Sequence, residues 1–160
     1  MPPADTQELA RALGRIPSGL FIVTTLRAGR PEGLLGSFVM QASLNPPMLT
    51  VAVGQGRPFL ADLRAAGRFA VSVLDARSRK AMAPFARRQP EGETPFEGLE
   101  IEHTPSGLPV LAAALAWVEC RVVGEHPAGD HVVLFGEVVD GRLARDGEPH
   151  VHVRKNGLNY

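Results

Sequence analysis

Short apolar and β-branched runs, broken every few positions by glycine or proline, dominate the chain. Leu20 to Thr25 is such a run and predicts a strand. Ala28-Gly29-Arg30-Pro31 then turns the chain into a second extended segment near Gly33 to Val39, so the two predict a hairpin. Asn45-Pro46-Pro47 is a break, and Met48 to Val53 reads as a strand buried on both faces. Phe69 to Leu74, Leu99 to His103, Leu115 to Gly124, His131 to Val139 and His150 to Arg154 are the remaining expected strands. Turns are expected at Pro105-Ser106-Gly107, His126 to Asp130, Asp140-Gly141 and Asp146-Gly147.

Helical spacing is rarer. Leu9, Leu13 and Ile16 recur at helical intervals behind Asp5 and Glu8, which form a variant capping box, and Gly14 and Pro17 close that helix. Pro58 suits the first position of a second helix, which ends at Gly67. Asp75 can cap a third from Ala76 to about Arg87, with Ala81, Met82 and Phe85 on one face. Gln89 to Glu97, with two prolines and a glycine, reads as a surface loop. Strands outnumber helices and most are joined by hairpins, with one strand–helix–strand unit in the middle. The pattern predicts a small closed or partly closed β-barrel decorated by helices.

Composition narrows the function classes. The 160 residues suit one domain, residues 1–160, with no linker or repeat. Seventeen basic residues balance seventeen acidic ones, and aromatic content is 6%, so neither a nucleic-acid footprint nor a base-stacking platform is expected. One cysteine excludes an internal disulfide. No apolar run reaches membrane-spanning length, and Met1 to Asp5 lacks the character of a signal peptide, so a cytoplasmic protein is expected.

The best local signal for chemistry is the strand–turn–helix around Gly54-Gln55-Gly56-Arg57. Glycine backbone, a helix start and an arginine together suit a phosphate. The alternative is a turn that simply needs two glycines. Gly36 to Ser43 mixes small, hydroxyl and amide groups that could line a flat heterocycle, or could be a bulged strand leading into Asn45-Pro46-Pro47. His131 follows Gly129-Asp130 and could face a cleft, oriented by its neighbour. His150 and His152 share one strand face and could share a metal; lacking a third ligand, they read better as a solvated face. His103 and His126 read as surface residues. A Ser-His-Asp hydrolase built from Ser37 or Ser43, His131 and Asp130 ranks low without a nucleophile elbow. Cys120 reads as a small core residue and Trp117 as a barrel or interface anchor.

Taken together, these segments resemble the flavin reductase-like family with the FMN-binding split-barrel fold. The resemblance runs from Leu13 to Tyr160. It rests on Gly14 to Gly19 with Phe21 to Thr25, Ser37 to Ser43 with Pro46-Pro47, Gly54 to Arg57, and Gly67 to Leu74. Phe85-Ala86, Phe96 to Gly98, Leu115 to Cys120, Gly129-Asp130-His131 and Phe135 to Val138 complete it. The order and spacing of these motifs, rather than any one of them, carry it. It implies a mostly β fold with α elements, an FMN-binding split β-barrel decorated by short helices.

It also implies a homodimer binding FMN or FAD near its interface, reduced by hydride from NADH or NADPH. Ser37, Phe38, Val39, Met40, Gln41, Ala42 and Ser43 would then meet the isoalloxazine and ribityl chain, with backbone groups near Ala42 and Ser43 at the pyrimidine edge. Gly54, Gln55, Gly56 and Arg57 would hold the phosphate. His131 would lie near the ring and the nicotinamide, as the catalytic-site residue. Phe38-Val39-Met40-Gln41 replaces the Ser/Thr-rich stretch of many reductases, and Pro58 replaces a hydroxyl residue. Both departures resemble the flavin domains fused to diiron flavoproteins, or stand-alone electron-transfer members. A monooxygenase or an electron-transfer protein is the implied partner. The alternatives to a reductase are an FMN protein that accepts electrons from a protein and a non-catalytic flavin binder.

Overall fold

The computed structural model describes residues 5–159. Helix α1 spans Thr6–Gly14, and Asp5 caps it by accepting from the Glu8 N–H at 3.0 Å. Strands β1 (Phe21–Arg27) and β2 (Arg30–Gly36) form the expected hairpin. Its two loop residues, Ala28 and Gly29, both have positive φ, the conformation whose twist matches the flanking strands. Strands β3 (Val39–Leu44) and β4 (Pro47–Gly54) form a second hairpin, with a register shift between Gln41 and Ser43. Helix α2 (Pro58–Ala66) follows with proline in its first turn, and Gly67 in the left-handed region ends it.

The remaining elements are β5 (Arg68–Val73), a 3-10 helix (Ser78–Ala86), β6 (Ile101–His103), β7 (Pro109–Leu111), β8 (Ala116–Ala128) and β9 (His131–Leu143). Seven strands make one antiparallel sheet in the order β2-β1-β5-β8-β9-β4-β3, and β6 pairs with β7 alone. The fold is mostly β with short helices, as expected. The edge strands β2 and β3 do not pair, so hydrogen bonds do not close the barrel.

Side chains from both halves of the sheet nevertheless share one core. Val23 of β1, Val51 and Val53 of β4, Phe69 of β5 and Leu134 of β9 pack together with Phe59, Leu60 and Leu63 of α2. The sheet therefore curls around α2, which touches β1, β2, β4 and β5. On the outer face, β6–β7 covers Ala70 and Trp117, while the 3-10 helix and Phe96 cover Ile22, Leu20 and Leu74.

Five expectations are corrected. Burial on both faces belongs to β1 and β5, beneath these coverings, and not to 48–53, where only Val51 and Val53 are buried. Among the described residues the clusters that cover β1 and β5 do not extend over β4, one strand from the sheet edge. The long hairpin runs past its expected ends: His126 to Ala128 is strand, and Gly129-Asp130 alone makes the turn. Asp140-Gly141 lies inside β9, beside a register shift that leaves Val139 unpaired, so the turn-like dipeptide serves a bulge. The third helix is 3-10 and begins at Ser78, and 150–154 makes one isolated bridge, His152 with Ser18, in place of a strand.

Asp75 holds the 3-10 helix in place. Its Oδ1 accepts from the N–H of Arg77 and Ser78 and from the Ser78 hydroxyl, and its Oδ2 accepts from Arg145 at 2.5 Å. Burial alone would raise its pKa. The Ser78 and Arg145 hydrogen bonds and the Arg145 charge outweigh that and hold it at about 2. Because the folded value lies below the unfolded one, the carboxylate stabilises the fold above about pH 4, by about 2 kcal/mol. That contribution is lost as pH falls towards 2. Urea unfolding of wild type and Asp75→Asn is expected to show a stability gap that narrows between about pH 5 and pH 2. A gap constant over that range would contradict it.

Candidate functional site

The gap between the sheet edges opens into a cavity of about 1000 Å³. Leu34, Leu35 and Gly36 of β2 line one side, and Ala52 to Gly54 of β4 the other. The pairing of Gly54 with His131 across β4 and β9 sets its chemistry, because it brings the Gly54–Arg57 turn beside the β8–β9 turn. The Gln55 N–H donates to the Asp130 carbonyl at 2.9 Å, and Gln55 Nε2 donates to the Gly129 carbonyl at 3.2 Å. Gly129, with φ 62°, supplies the positive first position that a two-residue turn of this kind requires.

His131 is fixed from several sides. Its Nδ1 lies 2.7 Å from Asp130 Oδ1, and the His131 contact holds the Asp130 carboxyl below its usual range. A carboxylate can only accept, so in this contact Nδ1 carries the proton. The imidazole is mostly buried and meets the Phe38 ring at 5.5 Å between centroids, tilted by 59°. The Arg154 guanidinium stands 5.1 Å from the centroid of the same Phe38 ring.

The turn itself differs from the simplest phosphate cradle. The N–H of Gln55 is spent on Asp130, and that of Arg57 on the Gly54 carbonyl at 3.0 Å. Among the described residues Gly56 N–H makes no such bond, and a side chain there would meet nothing within 4 Å. Gly56 N–H and the exposed Arg57 side chain are thus the donors the turn offers. Of the other expected flavin-contact residues, Ser37 and Phe38 line the cavity and Val39 is buried in the core. Met40, Gln41, Ala42 and Ser43 lie outside the cavity lining, as does the backbone expected at a pyrimidine edge.

The C-terminal segment is the part that sequence reasoning missed. His150, His152, Arg154 and Lys155 all line the cavity, so the histidine pair is not a solvated strand face. Backbone bonds hold this segment: His150 N–H to Leu74, His152 N–H to Ser18, Arg154 N–H to Gly14 and Gly157 N–H to Ala10. Burial, then the charges of His150 and Arg154, push the His152 pKa down, which keeps its ring neutral near pH 7. Among the described residues no three side chains group as metal ligands. Of the remaining residues singled out, His103 and His126 are exposed, as expected. Cys120 is fully buried, and burial, with the Glu119 charge, pushes its thiol up to about 12, so it is no nucleophile.

The cavity therefore combines apolar walls (Leu34, Leu35, Met82 and Phe85) with four cations, Arg57, Arg79, Arg154 and Lys155. Among the described lining residues Asp130 is the single carboxylate, and it faces His131. Such a site suits a ligand with a flat apolar body and an anionic end.

Comparison with known proteins identifies the family. The model for the flavin reductase like domain matches residues 13–157. Diflavin flavoprotein A 1 of Synechocystis is 36% identical over 155 residues, covering 96% of this chain and 27% of that protein. The chain thus spans about a quarter of the diflavin flavoproteins it matches. Actinorhodin polyketide dimerase of Streptomyces coelicolor is 36% identical over 94% of this chain and 84% of its own length. The NADH:FAD oxidoreductase SgcE6 of Streptomyces globisporus superposes with a TM-score of 0.84 at 32% identity, covering 94% of this chain and 90% of that one. Flavin reductase PheA2 gives 0.82 at 28% identity, over 93% and 94% of the two chains. The chain belongs to the flavin reductase-like family.

Proposed function

We propose that this flavin reductase-like chain binds FMN or FAD in the cavity between β2 and β4 and reduces it with NADH or NADPH. The observation that carries the reading is the Gly54–His131 pairing, which puts an anion-binding turn and an oriented imidazole in one apolar-walled cavity. Bound there, a flavin supplies the ring that accepts a hydride. The chain supplies position and electrostatics. Arg57 and the Gly56 N–H hold the phosphate. Leu34, Met82 and Phe85 exclude water from the stacked rings. His131, fixed by Asp130, presents Nε2 to the nicotinamide side and serves as a positioning residue.

The open sheet is read as one half of a split-barrel homodimer in the cytoplasm. Met40 and Leu44, 63% and 84% exposed on the β3–β4 hairpin, are apolar side chains suited to burial against a second copy. That is how Met40 to Ser43 remain within the reading, near a flavin at the interface. A monooxygenase using reduced flavin is the fitting partner. The second reading, electron transfer from a protein to retained FMN, is favoured by one fact: the matched diflavin flavoproteins carry this domain as 27% of a larger chain.

Oxidation of NADH or NADPH with free FMN or FAD as acceptor tests the first reading. Catalytic turnover is expected. His131→Ala is expected to raise KM for the pyridine nucleotide about tenfold while flavin affinity changes little. Failure of both nucleotides to turn over with any flavin would overturn the reductase reading.

A further inference from the structure

We propose that Arg79 recognises a second anionic group in the cavity, and that it favours occupants carrying an adenosine diphosphate group over those with a single phosphate. The proposal rests on the flavin reading for the first occupant. Arg57 reaches the cavity from the β4 side of the gap. Arg79 reaches it from the 3-10 helix, which packs on β2. A flavin mononucleotide held at Gly56 and Arg57 has one phosphate and leaves Arg79 without an anion to answer.

Among the described residues no carboxylate pairs with Arg79. Its backbone N–H goes to the Asp75 carbonyl at 3.1 Å. Asp75 is the acid nearest in sequence, but its carboxylate is committed to Ser78 and Arg145. Asp130, the one acid among the described lining residues, is bonded to His131. Arg77 and Lys80 flank Arg79 and add to the positive field. A guanidinium presents its donors in a fork that matches phosphate oxygens. At about 1000 Å³ the cavity sits at the upper end of the range for small-molecule sites, so it has room for more than one ring system.

The diphosphate has two possible sources, the second phosphate of a dinucleotide flavin or the diphosphate of the pyridine nucleotide. Titration of the full chain and of Arg79→Ala with ADP, FMN and FAD separates them, together with the KM for NADH and NADPH at saturating FMN. Arg79 is exposed, so the substitution leaves the core intact. ADP is expected to bind wild type about tenfold more tightly than the variant, the value of one charge-assisted hydrogen bond, with FMN affinity unchanged. A parallel loss for FAD assigns the second phosphate of the flavin. A rise in pyridine nucleotide KM with FAD affinity retained assigns the hydride donor. No ADP binding by wild type, unchanged ADP affinity in the variant, or equal losses for ADP and FMN would overturn the proposal. If wild type binds ADP through Arg79 but binds no flavin, the flavin reading fails and the assignment of Arg79 stands.

Discussion

Replacing Arg57 by alanine is expected to weaken FMN binding about 10- to 100-fold, the value of a lost charged hydrogen bond to phosphate. Riboflavin, which lacks the phosphate, is expected to bind wild type and variant equally. The contrast follows from the geometry of the turn. Gln55 and Arg57 spend their backbone donors inside the protein, so the Arg57 side chain and the Gly56 N–H carry the anion contact. Arg57 is exposed and makes no salt bridge among the described residues, so its removal leaves no buried partner unsatisfied. Equilibrium titration of flavin fluorescence measures both affinities. Equal losses for FMN and riboflavin would move the phosphate away from this turn.

The second large effect is expected at Gly157. A Cβ there would lie 2.3 Å from Leu13 Cβ and 2.6 Å from the Gly14 backbone N. Neither can move away easily, since Gly14 ends α1 and its own close approach to the Arg154 carbonyl leaves no slack. Gly157→Ala is therefore expected to cost about 1–3 kcal/mol and to loosen the segment carrying His150, His152, Arg154 and Lys155. Thermal unfolding and FMN affinity should fall together. Gly124→Ala serves as the control, because a Cβ there meets nothing within 4 Å. If Gly157→Ala unfolds like that control and keeps its FMN affinity, the C-terminal segment is not a wall of the site.

Local signals predicted the elements whose causes are local. Asp5 caps α1, Pro58 opens α2 and Ala28-Gly29 turns β1 into β2, each within a few residues of the element it shapes. Signals of the same kind misled where a distant contact decides. Asp140-Gly141 has turn chemistry, but pairing with Val118 and Glu119 keeps it in β9. Asp75 has cap chemistry and accepts from the N–H groups of Arg77 and Ser78, but Arg77 stands at the cap position and the helix starts at Ser78, two residues later than expected.

The site divides the same way. The Gly54–Arg57 turn and His131 were each legible as candidates, but their adjacency is a matter of strand register. The C-terminal wall was not legible, because it depends on two glycines, Gly14 and Gly157, meeting across nearly the whole chain. A signal did exist in the paired spacing of His150 and His152 beside Arg154 and Lys155. Read together, they mark a segment of two histidines and two cations that lines the cavity rather than a solvated strand face.

The central claim is that the cavity holds a flavin which a pyridine nucleotide reduces. Anaerobic mixing of the FMN-loaded protein with NADH, and separately with NADPH, followed at the visible flavin band, tests it most directly. Rapid bleaching with at least one of the two nucleotides is expected. A flavin that binds, stays oxidised with both, and bleaches only with dithionite would contradict it and leave electron transfer from a protein as the reading to pursue.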